Sequence, residues 1–457
     1  MIEEIIKKSN DQFINDELRP FLKIPSNTLN KDGILKAKDF ILSYISDFCE
    51  SIEEIEGEIN PLFLARVNGK LKETMLIYMM YDTQPINKKK EWMSDPFRAE
   101  ICKLPPPLDI LGNCIIARGA YNSKTPMLSF LNVIKILKMN NLLPISLLLL
   151  IDGEEEKGSP TLLKILEKNK DKFINCIDAF YPSTKQDIDG KAVIKLGYKG
   201  ILSFNIRIYT KNKEPHSAFS ALIPNPASEL ISLLNLFYSN YNFQINCLKK
   251  PYILTPEEKS IMEELVKVIN LEKIMKKAGI TNIIEDDPEI AIFRYLYEST
   301  FNISTLKSGF LKKGSKNYVP NEASCNVDIR FAHDISIGEI IKEIKEIVNS
   351  FSKSSKSTVE LTLDLGYKGS RVNINSRLIQ SLISCLNSLD VETQIWPLSP
   401  AAAPLSKINE ELGLNFVVGG LGIGGFAHSP NEFIQVDSII KTRLSFYYFL
   451  RKYSEMI

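Results

Sequence analysis

The sequence predicts an α/β protein whose main domain is interrupted by an inserted α+β domain. Strand-like and helix-like segments alternate up to about residue 197. From Tyr198 the texture changes to strands of period-two alternation set among long helical patterns. After Gly366 the alternation of helix and strand returns and runs to the end. A chain of 457 residues is too long for one simple core. The expected division is 1–197 plus 366–457 for a discontinuous main domain, and 198–365 for the insertion.

Each element follows from local pattern. Residues 34–49 carry apolar side chains at helical spacing, and 62–67 and 74–80 read as strands. Residues 127–139 read as a helix. The apolar run 142–151 contains Pro144, is too short to span a bilayer, and reads as a buried parallel strand. Pro160 suits the first turn of a helix over 160–168. In a sheet of this kind ligands gather at the C-terminal ends of strands, which is where 80–85 and 152–159 fall. In the insertion, 201–209 and 324–331 predict strands, and 225–238, 256–271 and 337–351 predict helices. A strand over 359–364 then leads to a loop at Gly366, and 376–389 reads as a helix. His333 reads as a loop residue.

Composition excludes several classes. Apolar and charged fractions of 44% and 24% are those of an ordinary globular protein. A net charge of +1 offers no field for nucleic acid or an anionic membrane. The seven cysteines are scattered with no Cys-x-x-Cys pair, so neither a thiolate zinc site nor a redox pair is expected. With reduced cysteines and no apolar leader over residues 1–8, the expectation is a cytoplasmic protein.

Five segments carry chemistry. They are Met80-Tyr81-Asp82-Thr83-Gln84-Pro85, Ala117-Arg118-Gly119-Ala120-Tyr121-Asn122-Ser123-Lys124, Asp152-Gly153-Glu154-Glu155-Glu156, Tyr181-Pro182-Ser183-Thr184 and Ala427-His428-Ser429-Pro430-Asn431-Glu432. In this order and spacing the chain resembles the metallopeptidase family of aminoacylases, carnosine-type dipeptidases, carboxypeptidases and succinyl-diaminopimelate desuccinylases. The resemblance covers nearly the whole chain. It implies a main domain of the zinc-peptidase type with an inserted lid and dimerisation domain. It also implies a homodimer through that insertion, and a small peptide or N-acyl amino acid as substrate.

The resemblance assigns roles by position. Two ions roughly 3.5–4 Å apart would polarise the carbonyl and supply hydroxide. Glu155 takes the general-base position, with Glu156 and His428 as metal ligands. Asp82 takes the position that orients a ligand histidine, but Met80 stands where that histidine is expected, and a thioether is a poor zinc ligand. Asn122 stands at the bridging-carboxylate position, and Ser183 or Thr184 at the fourth ligand position. His216 matches the inserted-domain histidine that stabilises an oxyanion in a neighbouring subunit. Arg118 and Asn431 are expected near substrate. The segment 396–405 lacks the arginine and glycines that would hold a substrate carboxylate.

Two readings follow. One is a hydrolase of dipeptides or N-acyl amino acids, using zinc or another divalent metal with Glu155 as base. The other is a catalytically inactive relative kept for binding or scaffolding, with no metal.

Overall fold

The apolar run before Asp152 forms the strand Ile145–Asp152, buried along nearly its whole length. It sits inside a six-stranded sheet. The spatial order is Ser51–Ile55, Leu62–Val67, Ile145–Asp152, Leu71–Met80, Cys176–Pro182, Phe416–Gly419. The strand is buried and has a parallel neighbour, as expected. Ile145–Asp152 runs parallel to Leu71–Met80 but antiparallel to Leu62–Val67, so the sheet is mixed. The computed structural model describes residues 1–86, 88–332 and 335–457, the side chains of Lys277 and Leu365 excepted. His333 lies outside the described residues.

The chain divides into two compact units. The first comprises Met1–Leu196, Val372–Trp396 and Lys407–Ile457, and the second Gly197–Arg371 with Pro397–Ser406. In the first unit the helices Lys124–Met139, Arg377–Asn387 and Ile439–Ser454 pack around the six-stranded sheet. Phe130, Phe180, Phe446 and Phe449 lock two of these helices to the strand Cys176–Pro182, with Phe180 and Phe449 stacked at 4.1 Å. Such ring pairs stabilise beyond their area burial. A smaller sheet, ordered Gly424–Gly425, Phe433–Gln435, Asn113–Ile116, Glu100–Lys103, completes this unit's frame.

In the second unit four antiparallel strands run in the order Thr300–Ser308, Glu322–Phe331, Gly197–Tyr209, Thr358–Tyr367. Along Glu322–Phe331 every second side chain is buried, as a sheet covered on one face requires. Helices Pro226–Asn235 and Ile337–Ser354 supply the cover, through Leu230, Leu233, Ile340 and Ile344.

Four local expectations are corrected. The helix expected over 225–238 stops at Asn235, because Asn240 and Tyr241 turn with positive φ into the hairpin Tyr238–Ser239/Asn242–Phe243. The helix expected over 256–271 is two, Pro256–Val268 and Leu271–Ala278, because Asn270 caps the second through the Lys273 N–H. Gly366 does not open a loop. The strand continues past a bulge after Leu363 and sets Gly366 opposite Leu202. Segment Pro397–Ser406, placed by sequence in the main domain, joins the second unit because Ser399–Ala402 pairs with Gly197–Tyr209. Among the described residues no helix is long and apolar enough to cross a membrane.

Candidate active site

Two parallel strand ends bring the acidic groups together. Met80 lies opposite Asp152 in register, so residues 81–84 and 153–156 leave the sheet side by side. Asp82 is fully buried and grips the acidic loop. Its Oδ1 accepts from the Glu155 N–H at 3.2 Å and its Oδ2 from the Glu156 N–H at 3.1 Å. Asp82 is therefore a positioning residue for the Glu155–Glu156 pair although the histidine expected before it is Met80. Met80 itself is buried at the strand end.

The residues beside the pair have structural work. Glu154 accepts from the Ile59 and Asn60 N–H groups at 2.7 and 3.1 Å and from Thr161 N–H at 3.0 Å, fixing loop to helix. Asp152 accepts from Tyr78 Oη at 2.8 Å. Gly158 and Ser159 both adopt positive φ, which turns the chain into the helix Pro160–Lys168.

The small sheet assembles the other wall. Ile116 pairs with Phe433, so loop 117–122 and loop 426–432 emerge together. Glu432 is the hub. It is fully buried, pairs with Arg118 Nη1 at 2.7 Å, and accepts from the N–H groups of Gly119 (3.1 Å), Tyr121 (3.0 Å) and Asn122 (2.8 Å). The Asn122–Ser123 peptide is cis. The sequence placed Glu432 in a motif frame without a role. A carboxylate directly before an apolar strand was the available signal.

These walls bring three side chains into one triangle. Asn122 Nδ2 lies 3.2 Å from Glu156 Oε1 and 3.0 Å from His428 Nε2, and His428 Nε2 lies 3.3 Å from Glu156 Oε1. Gln84 donates to the other Glu156 oxygen at 2.7 Å, a contact the sequence did not flag. Burial pushes the Glu155 carboxyl up to about 8, with the Glu156 and Asp152 charges adding to it. Burial, then Asp152, likewise holds Asp82 well above the carboxylate range. The hydrogen bond to Glu156 raises His428. Crowded carboxylates of this kind are what a bound cation relieves.

The other expected site residues have partners of their own. Arg118 is 2% exposed and bound to Glu432, with its guanidinium carbon 5.4 Å from the Trp92 ring centroid. Asn431 is engaged by the 91–93 loop, accepting from Met93 N–H at 2.7 Å and donating to Glu91 O at 3.1 Å. Thr184 is buried, its hydroxyl 3.5 Å from Tyr121 O. Lys124 caps backbone carbonyls of Phe21 and Ile24, and burial lowers its ammonium to about 7. In the second unit His216 is exposed, and its Nδ1 accepts from Ala218 N–H at 3.2 Å.

The frame, strand ends and paired loops correspond to a known family over most of the chain. Residues 76–452 match Peptidase family M20/M25/M40. The chain belongs to this family. M20 peptidases are metal-dependent. The chain is 24% identical over 391 residues to the Cys-Gly metallodipeptidase dug1 of Schizosaccharomyces pombe, covering 80% of this chain and 79% of that one. It is 24% identical over 316 residues to the Beta-Ala-His dipeptidase of Homo sapiens, covering 67% of this chain and 60% of that protein's length. The M20 family metallo-carboxypeptidase Sso-CP2 from Sulfolobus solfataricus superposes with a TM-score of 0.86 at 26% identity, over 96% of this chain and 98% of that one.

The donor set decides which metal centre fits. Among the described residues no three of His, Cys, Asp or Glu converge as a metal site. At the positions that the resemblance gives to the other ligands, Met80, Asn122 and Ser183 or Thr184 offer a thioether, a neutral amide and a hydroxyl, a donor set that does not suit two ions. One ion does fit. Ligand atoms around tetrahedral zinc lie about 3.3–3.4 Å from one another. The three edges of the Asn122–Glu156–His428 triangle are 3.2, 3.0 and 3.3 Å. Turning the Asn122 amide over presents Oδ1 in place of Nδ2, and side-chain amide orientation is set by the hydrogen-bond network around it.

Proposed function

We propose that this M20 protein hydrolyses dipeptides or N-acyl amino acids with one divalent cation, zinc, held by Glu156, His428 and Asn122. The triangle of donor atoms beside the Glu155 carboxyl carries this reading. The names of the metallodipeptidase and dipeptidase relatives support the substrate class. A bound cation would polarise the scissile carbonyl and supply hydroxide at neutral pH. With a cation offsetting the Glu156 charge, Glu155 would stand ionised, take the proton of the attacking water on its carboxylate and return it to the leaving nitrogen. Asp82 holds the backbone of Glu155 and Glu156, and Glu432 holds that of Asn122. His216 keeps its proton on Nε2, because Nδ1 accepts from Ala218. Across a homodimer formed through the inserted domain, that N–H of a second copy would donate to the oxyanion. A cytoplasmic location belongs to the same proposal, supported by seven free thiols.

Metal content and hydrolysis test it together. After stripping and reloading with Zn²⁺, Mn²⁺ or Co²⁺, the chain should retain one ion and cleave members of a panel containing Cys-Gly, β-Ala-His and N-acetyl amino acids. Two retained ions would overturn the donor-set argument. No retained ion and no cleavage would overturn the hydrolase.

That last result would favour the second reading, a binding role without hydrolysis. One observation speaks for it: Met80 is packed into the core at the strand end where the first ligand belongs. Rebuilding the lost ligands separates sequence register from function. Met80→His with Asn122→Asp and Thr184→Asp should raise Zn²⁺ capacity from one ion to two. No gain by equilibrium dialysis would show that these positions are not the lost ligands.

A further inference from the structure

Cys102 and Cys114 stand far apart as a motif, yet the fold sets them face to face. Their strands, Glu100–Lys103 and Asn113–Ile116, pair antiparallel with Cys102 directly opposite Cys114. Directly opposed residues put their side chains on the same face, with Cα atoms about 4.5 or 5.5 Å apart according to the hydrogen-bond pattern. Both separations fall within the roughly 4.4–6.8 Å range of disulfides. A second observation agrees. Both side chains pack against one apolar cluster, with Trp92, Leu111, Ile116 and Phe433. Cys114 is buried there, whereas Cys102 is only partly covered. No other two cysteines among the described residues face each other across a strand pair.

We propose that Cys102 and Cys114 are a dithiol pair that closes to a cross-strand disulfide by exchange with a glutathione-type disulfide. The accessible Cys102 reacts first. Its thiol loses a proton, its sulfur bonds to one sulfur of the oxidant, and the first glutathione leaves as thiolate. Cys114 then loses its proton and attacks the Cys102 sulfur, and the second glutathione leaves. Two protein thiols become one disulfide, and one oxidised glutathione becomes two reduced glutathiones. Burial raises both thiols above their ordinary range, so the exchange is slow at neutral pH and quickens as pH rises.

The position gives the bond a consequence. Glu100–Lys103 is the edge strand of the small sheet, held on one side only. Its partner strand leads into Arg118 and Asn122 and pairs with the strand that follows His428 and Glu432. A disulfide would pin this edge to the frame that carries the site. It would also remove freedom from the unfolded chain between the two cysteines.

The test uses the whole protein treated with oxidised glutathione at pH 8, blocked with N-ethylmaleimide in denaturant, then digested without reduction. Mass mapping should find the Cys102 peptide linked to the Cys114 peptide, with the other five cysteines alkylated. The Cys114→Ala variant should stop at glutathione on Cys102, and Cys102→Ser should leave Cys114 alkylated only after denaturation. The oxidised wild type should melt at a higher temperature than the reduced protein, and Cys102→Ser should show no such difference. Wild-type protein that carries glutathione on Cys102 without forming the link, or that links Cys102 to another cysteine, would overturn the proposal.

Discussion

Glu155→Gln should lower kcat for dipeptide hydrolysis by about 10²- to 10⁴-fold, the range a positioned acid–base group contributes. The bound ion should remain. The substitution keeps the shape of the side chain and removes its capacity to hold a proton. Asp82 binds the Glu155 backbone and not its carboxyl, so the loop should keep its place. Asn122 and His428 converge on the Glu156 carboxylate beside it. One retained ion with a collapsed kcat and little change in KM is therefore the expected pattern. Loss of the ion together with activity would make Glu155 a ligand, and unchanged kcat would remove it from the mechanism.

The second large effect is on stability. Glu432→Gln should destabilise the first unit by about 3–5 kcal/mol, the cost of breaking one side of a buried ion pair. Arg118 is 2% exposed and Glu432 fully buried, so water cannot replace the lost charge. The new amide would also point a donor at backbone N–H groups that Glu432 now accepts from. Urea titration followed by Trp fluorescence would read the shift, because Trp92 lies against Arg118. The double variant Arg118→Leu/Glu432→Leu should recover part of the loss, since an apolar pair removes the unpaired charge. A double variant no more stable than the single would show that the backbone hydrogen bonds, and not the ion pair, carry the effect.

Much of this architecture was legible before the fold. Apolar runs bounded by turn residues located Leu62–Val67 and Pro160–Lys168 at their ends. The change of texture at Tyr198 marked the start of the four-stranded antiparallel sheet. The misreadings were places where local pattern competes with neighbours. Helical spacing over 225–238 carries no trace of the hairpin turn at Asn240, and a glycine at 366 suggests a break although a bulge carries its strand onward. The acidic pair Glu155–Glu156 and His428 were named from their frames, but partners could not be. A frame says which residue types stand at a position, whereas a hydrogen bond needs the other side chain's coordinates.

The amino-acid sequence alone determined the fold class, the family frame and the residue types standing at 80, 122 and 184, because these are matters of period and residue type. Only the tertiary structure decided which side chains meet. It showed that Asn122 closes a triangle with Glu156 and His428, that Arg118 and Asn431 hold loops, and that Cys102 faces Cys114. Each of these depends on strands distant in sequence adopting one register, and register is fixed by burial of a whole sheet face.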